Sequence, residues 1–185
     1  MIRAVLFDFD YTLADSSDAI VECFNAGLAG LGLPAADPAA IRRTIGLSLA
    51  DSLAAVAGEA WREREPEFRL HWRRRSDEIM VDWTRVYDTT APATAALAEM
   101  GLRLGIVSTK YRHRIAATLA RDGLAVRFET VVGGEDVRLP KPHPEGLALA
   151  MSRLRAEPRQ TLYVGDSLVD AEAAARAGVR FVAVL

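Results

Sequence analysis

Five short apolar runs constrain the fold of this chain more than any other feature. They are RAVLF (3–7), LRLGIVS (102–108), FETVVG (128–133), TLYVG (161–165) and RFVAVL (180–185). They are apolar almost throughout rather than alternating, which suits strands buried on both faces, and such strands occur in parallel sheets covered by helices. Helix-periodic segments lie between them and end in glycine: TTAPATAALAEMG at Gly101, YRHRIAATLARDG at Gly123 and DAEAAARAG at Gly178. Glycine is the favoured residue at such stops. Strand alternating with crossover helix predicts an α/β fold with a mainly parallel sheet.

Residues 15–87 break the alternation. They carry apolar positions at helical spacing and no convincing strand. We read one helix in DAIVECFNAGLAGLG, a second opened by Asp37 as N-cap and Pro38 in its first turn, a third in SLADSLAAVAG, and a long fourth containing EPEFRLHWRRRSDEIM. This predicts a helical subdomain inserted after the first strand, with a core of residues 1–14 and 88–185 and an insert of residues 15–87.

With 185 residues, 50% of them hydrophobic, the chain can bury a sizeable core. A net charge of −2, from 23 basic and 25 acidic residues, gives no global pull toward nucleic acid or anionic membrane. The basic run RLHWRRR is balanced by Glu63, Glu65, Glu67, Asp77 and Glu78 and reads as a solvated helix face, while Trp61, Trp72 and Trp83 read as packing within the insert. The lone Cys23 cannot close an internal disulfide, and the opening apolar run is stopped by Asp8, too short for a signal peptide or a membrane span. A reducing, cytoplasmic setting is the expectation. His71, His113 and His143 show no metal-ligand spacing.

In an open α/β sheet, ligands bind beyond the carboxyl ends of the strands. The polar residues collect there. Asp8, Asp10 and Thr12 follow the first run, Ser108, Thr109 and Lys110 the second, and Asp166, Ser167 and Asp170 the fourth; Lys141 lies in RLPKPHPEG, before a later helix. Singly, each has a plain reading: an Asp past a strand as a cap or turn residue, Ser108 as a cap, Lys141 as a solvated loop charge, Lys110 as a first-turn helix residue. Together they mean more. Three or four carboxylates at neighbouring strand ends would repel one another unless a cation sat among them, and an all-oxygen site of this kind suits magnesium. A hard metal with a lysine, hydroxyls and backbone N–H groups suits a phosphoryl group. Lysine is also scarce, since every basic residue except Lys110 and Lys141 is arginine.

DFDYTLADS, VSTK, PKPHPE and GDSLVD, in that order and with a helical insert after the first, resemble the haloacid dehalogenase-like hydrolase superfamily. The likeness is greatest to its phosphoglycolate phosphatase-like branch. It implies a Rossmann-like three-layer core with an inserted α-helical cap, and a magnesium-dependent phosphatase acting on a small phosphomonoester, with phosphoglycolate the leading candidate. It also implies roles. Asp8 would be the nucleophile that carries an aspartyl phosphate, and Asp10 would protonate the leaving alcohol and then activate water. Mg2+ would be held by Asp8, the Asp10 backbone carbonyl and Asp166, with Asp170 in support. Ser108, Thr109 and Lys141 would bind the phosphoryl group, Lys141 also neutralising Asp8. Lys110 reads equally as a substrate contact or as a helix residue.

In this branch the cap selects the leaving group. RRTIGLSLADSL resembles the cap loop that faces the catalytic centre, which makes Arg43, Ile45, Gly46 and Leu47 candidates for substrate contact. Tyr11 stands where relatives usually carry glycine. It disfavours a positive φ and adds a large ring near the site, either shaping the pocket or simply packing.

The same motifs fit a β-phosphoglucomutase-like enzyme, a pyrophosphatase or a nucleotidase. A non-catalytic binding protein would be expected only with a damaged nucleophile or metal site, and Asp8, Asp10, Lys141 and Asp166 are all present. Residues 15–87 contain no lysine for the Schiff base of a phosphonate hydrolase, and a haloacid dehalogenase would need neither Asp10 nor magnesium ligands. The expected partner is a small phosphorylated metabolite, with neither nucleic acid nor membrane, and the chain a monomer or homodimer. The chain stops at Leu185 within a strand pattern where relatives continue, so the resemblance implies a shortened or incomplete chain.

Overall fold

Strand β1 (Ala4–Phe7) shows why its run is apolar throughout. In the computed structural model, which describes residues 1–184, Ala4 and Leu6 join one buried cluster while Val5 and Phe7 join another. Strand side chains alternate between faces, so both faces of β1 enter a core. After β1 come β2 (Ala14–Asp15), helices α1 (Ser17–Gly30), α2 (Pro38–Arg42), α3 (Leu49–Ala57) and α4 (Glu65–Trp83), and β3 (Arg85–Val86). The remainder alternates: α5 (Thr90–Glu99), β4 (Arg103–Val107), α6 (Arg112–Arg121), β5 (Thr130–Val132), α7 (Glu145–Arg153), β6 (Thr161–Gly165), α8 (Leu168–Ala177) and β7 (Arg180–Ala183).

Five of the strands form a sheet in the order β5-β4-β1-β6-β7, parallel at every pairing. The central strand is β1, with Phe7 in register with Ile106 of β4 and Val164 of β6. Leu147, Ala150 and Met151 of α7 and Ala173 and Ala174 of α8 pack against Ala4, Leu6 and Tyr163. On the other face Ile115 and Leu119 of α6, with Leu124 and Phe128, cover Val5, Phe7 and Ile106. Each such aliphatic or aromatic side chain contributes about 1.5–3 kcal/mol by its burial. The chain builds β4 and β5 on one side of β1, then returns to build β6 and β7 on the other. The reversal of strand order falls beside β1, the place in an open parallel sheet where a crevice opens for a ligand.

The contacts divide the chain into two units, Met1–Asp15 with the chain from Val86 onward, and Ser16–Arg85. In the second, Phe24 of α1 meets Phe68 of α4 edge-on, with ring centroids 4.8 Å apart, over a core completed by Leu28, Ile41 and Leu53. Asp37 accepts from the Ala39 and Ala40 N–H groups ahead of Pro38, and Ser48 accepts from the Asp51 N–H at the start of α3, so both helices begin at side-chain caps.

Several expectations need correction. The segment read as free of strand carries β2 and β3 at its edges, two-residue elements too short to leave a periodicity. Asp15, Val86 and Tyr87, read as part of the insert, belong to the sheet-containing unit: Val86 packs on its apolar cluster, and the Tyr87 N–H donates to the Leu13 carbonyl at 3.0 Å. Trp61 and Trp72 pack on the helical unit's apolar cluster, but Trp83, at the last position of α4, is 49% exposed. The strand read over residues 180–185 spans Arg180–Ala183, and Leu185 lies outside the described residues. Among the described residues, no helix is long and apolar enough to cross a membrane.

Candidate active site

Asp8 lies one residue beyond β1, and its N–H still donates to the Val164 carbonyl at 2.9 Å, so the sheet itself fixes its backbone. Its side chain is carried into the interior, and the residue is 3% exposed. A tight turn follows. The Phe9 carbonyl accepts from the N–H groups of Leu13 and Ala14, and the Tyr11 N–H donates to the Ala14 carbonyl at 2.7 Å. This turn holds Tyr11 at φ +60°. The left-handed conformation expected to suit glycine is therefore kept with a tyrosine in place, at a cost of about 1–2 kcal/mol.

Lys141 stands among the carboxylates. Its Nζ lies 3.0 Å from Asp8 Oδ1 and 2.5 Å from Asp170 Oδ1. Asp170 is the more fully bonded of the two: the Tyr163 hydroxyl donates to Oδ1 at 2.8 Å, and the Ser167 N–H and hydroxyl donate to Oδ2. Asp166, half-buried beside them, accepts from the Thr12 hydroxyl at 3.3 Å. Ser108 is buried, with its N–H on the Val132 carbonyl. Ser108, Thr109 and Lys141 line one cavity together with Gly133 and Gly134. Lys110 is buried as well, and its Nζ donates to Asp10 Oδ1 at 2.9 Å.

Asp8, Asp10, Ser108, Thr109, Lys141, Asp166 and Asp170 thus gather at the carboxyl edge of β1, β4 and β6. Arg43, Ile45, Gly46 and Leu47 lie in the turn between α2 and α3 of the helical unit, Arg43 exposed and the other three half-buried. Two features escaped sequence reasoning. Tyr163 links Lys141, Asp170 and the Val107 carbonyl; a tyrosine inside a largely apolar strand was the available signal, because a buried hydroxyl needs a partner. The Lys110–Asp10 pair had no signal beyond the scarcity of lysine.

Electrostatics follow from this crowding. Burial drives the Asp8 carboxyl up to about 7, Lys141 opposes the rise, and Asp170 and Asp10 add to it. Asp166 is also raised, first by burial and then by Asp170. Asp170 goes the other way, because Lys141 and its hydrogen bonds outweigh burial and hold its carboxyl below the usual range. The folded protein keeps a proton on Asp8 over a range in which the unfolded chain has released it. The contribution of Asp8 to stability therefore falls as pH rises from about 4 to about 7 and changes no further above that. In chelator, thermal or urea unfolding is expected to show a loss of a few kcal/mol across that window, on the order of 1.36 kcal/mol for each tenfold fall in proton concentration. Asp8→Asn should remove most of it.

The donor set fits a hard divalent cation. Asp8, Asp166 and Asp170 each offer an oxygen, all within 4.8 Å of one another. Among the described residues Asp8 Oδ1 is buried and has no hydrogen-bond partner, the Lys141 ammonium facing it as an ion pair at 3.0 Å. An all-oxygen group of this kind suits Mg2+.

Comparison with known proteins agrees with the geometry. The family model described as haloacid dehalogenase-like hydrolase matches residues 5–184, and the chain belongs to that family. It is 34% identical to a phosphoglycolate phosphatase of Yersinia pseudotuberculosis, over 96% of this chain and 78% of that protein. It is 33% identical to pyrophosphatase PpaX of Oceanobacillus iheyensis, over 99% and 83%. Among solved structures, one described as a haloacid dehalogenase-like hydrolase from Bacteroides fragilis superposes with a TM-score of 0.94 at 43% identity, covering 99% of this chain and 87% of that one.

Proposed function

We propose that the protein is a magnesium-dependent phosphatase that hydrolyses a small phosphomonoester through an aspartyl phosphate on Asp8, with phosphoglycolate the leading substrate. The observation that carries this reading is the pairing of a buried Asp8 with Lys141 at 3.0 Å, beside Asp166 and Asp170, where the strand order of a parallel sheet reverses. Asp8 attacks phosphorus, the bond from phosphorus to the leaving alcohol's oxygen breaks, and an acyl phosphate forms. Asp10, two residues on, gives a proton to the departing oxygen and later takes one from the water that attacks the phosphoryl group. Phosphate leaves and Asp8 is restored. Lys141 neutralises and Ser108 hydrogen-bonds the phosphoryl oxygens as charge builds on them, a reading supported by the cavity that both residues line.

Mg2+ would be held by the carboxylates of Asp8 and Asp166 and the Asp10 carbonyl, and when bound would neutralise charge on Asp8 and on the phosphoryl group. Asp170 supports this arrangement from behind, through its bond to Lys141. Arg43, Ile45, Gly46 and Leu47 are assigned to leaving-group recognition. Similarity to both a phosphoglycolate phosphatase and a pyrophosphatase favours a compact, anionic substrate, and a single cysteine, Cys23, buried and in no internal disulfide, is in keeping with a reducing cytoplasm.

The test is phosphate release from a panel of phosphoglycolate, pyrophosphate, nucleoside monophosphates and hexose phosphates, with magnesium and with chelator. Magnesium-dependent release, greatest from phosphoglycolate, is the expected result. A folded protein that releases no phosphate from any ester contradicts the reading.

A further inference from the structure

Of the chain's two lysines, the reaction above uses only Lys141. Lys110 is as deeply placed, 6% exposed against 7% for Lys141. Its ammonium donates to Asp10 Oδ1 at 2.9 Å, and both side chains are almost closed off from solvent. Every other cationic side chain of Lys or Arg type is arginine, and arginine pairs such as Arg42 with Asp18 and Arg103 with Glu129 lie at the surface. Both lysines are thus buried, one on each member of the Asp8 and Asp10 pair, and among the arginines Arg114 is buried too. Stability alone gives no reason for the two lysine pairs, because a buried ion pair is often no more stabilising than apolar side chains of the same volume.

The geometry points to Lys110 as the positioning residue of Asp10, an inference that rests on the acid and base role proposed for that carboxylate. By occupying Oδ1, the ammonium fixes how the carboxylate is turned and leaves Oδ2 to meet the leaving oxygen and, later, the water. Asp10 needs such a hold because it sits in a turn, next to Tyr11 at φ +60°, and outside the sheet that fixes Asp8. A short carboxylate side chain there is not oriented by its backbone alone, while proton transfer depends closely on alignment. Lys110 is itself held from two sides. Its N–H donates to the Ser108 hydroxyl at 3.3 Å, and its Nζ lies 5.6 Å from the centre of the Phe9 ring. The segment from Ser108 to Lys110 therefore presents a hydroxyl to the phosphate and an ammonium to Asp10 in one rigid piece.

The test compares leaving groups. p-Nitrophenolate departs without a proton, whereas the alkoxide of the best alkyl substrate does not. Single-turnover release of each is followed in the parent, Lys110→Met, Asp10→Asn and the double variant. Lys110→Met is expected to slow the alkyl ester about 10- to 100-fold, within the range of general acid catalysis, and p-nitrophenyl phosphate by no more than about threefold. In the Asp10→Asn background it should add little, since the two residues act as one. A crystal structure of Lys110→Met should show the Asp10 carboxylate turned from its parent position. Should Lys110→Met not fold, Lys110→Arg, which keeps the charge with a different reach, is expected to give the same ester-selective loss. Equal slowing of both esters, additive loss in the Asp10→Asn background, or an unmoved Asp10 overturns the proposal. If the parent cleaves neither ester, the phosphatase reading fails, and the position of Asp10 in the Lys110→Met crystal then decides the positioning role separately.

Discussion

Asp8→Asn is expected to abolish phosphate release, by about 10⁴-fold or more, as removal of a covalent nucleophile does in comparable enzymes, while making the metal-free protein more stable at pH 8. The two effects come from one cause. Asp8 is a carboxylate held in a nearly closed site, with burial pushing it up to about 7 despite Lys141 at 3.0 Å. At pH 8 its charge opposes folding, and an amide of the same shape carries no such charge. The chemistry needs that charge, because only the carboxylate can attack phosphorus. A gain of about 1–3 kcal/mol in chelator, by urea unfolding at pH 8, should accompany the loss of activity. Added magnesium should narrow the difference by stabilising the parent alone. An Asp8→Asn protein that is both inactive and much less stable would mean that Asp8 holds the fold together, and the account of its strained charge would be wrong.

Lys141→Met should lose activity by about 10²–10³-fold or more, the scale of removing one preorganised donor to developing negative charge. Its effect on stability has the opposite sign. The ammonium lies between Asp8 and Asp170, with the Tyr163 hydroxyl 3.2 Å away, and is itself held charged because both carboxylates outweigh its burial. Removing one partner from a buried ion pair leaves uncompensated charge, and about 3–5 kcal/mol is the usual penalty. The urea midpoint should therefore fall with an unchanged slope. The double variant Asp8→Asn, Lys141→Met should recover part of that loss, because one of the two stranded carboxylates is then gone. A Lys141→Met protein as stable as its parent would show that Asp170 and Tyr163 tolerate the loss of the cation, and the balance of charge described for the site would not hold.

Much of the fold was legible because it is written in local chemistry. The run over β1 is apolar on both faces because the sheet is covered on both, and glycine closes α8 at Gly178, where the backbone is left-handed. Asp37 and Pro38 open α2 by capping rules that act within four residues. The two-residue strands β2 and β3 have no such signature, since pairing over so short a length is decided by the surrounding tertiary structure. The grouping of the site residues followed from a general property of parallel sheets, that loops at the carboxyl edge converge. Which lysine meets which carboxylate is another matter. Lys110 and Asp10 are 100 positions apart, and only the register of β4 beside β1 brings them to 2.9 Å. Tyr11 makes the same point in reverse. Its side chain argued against a left-handed turn, yet hydrogen bonds from Leu13 and Ala14 to Phe9 impose one.

The central claim is that phosphate is handed to Asp8 before it reaches water. Acid quenching during turnover of the best ester, followed by borohydride, reduces an aspartyl phosphate to homoserine, which peptide mass mapping can place. The account predicts homoserine at position 8 in the magnesium-loaded parent, and none in chelator or in Asp8→Asn. Active turnover with no homoserine, or with the modification at any other carboxylate, would contradict it.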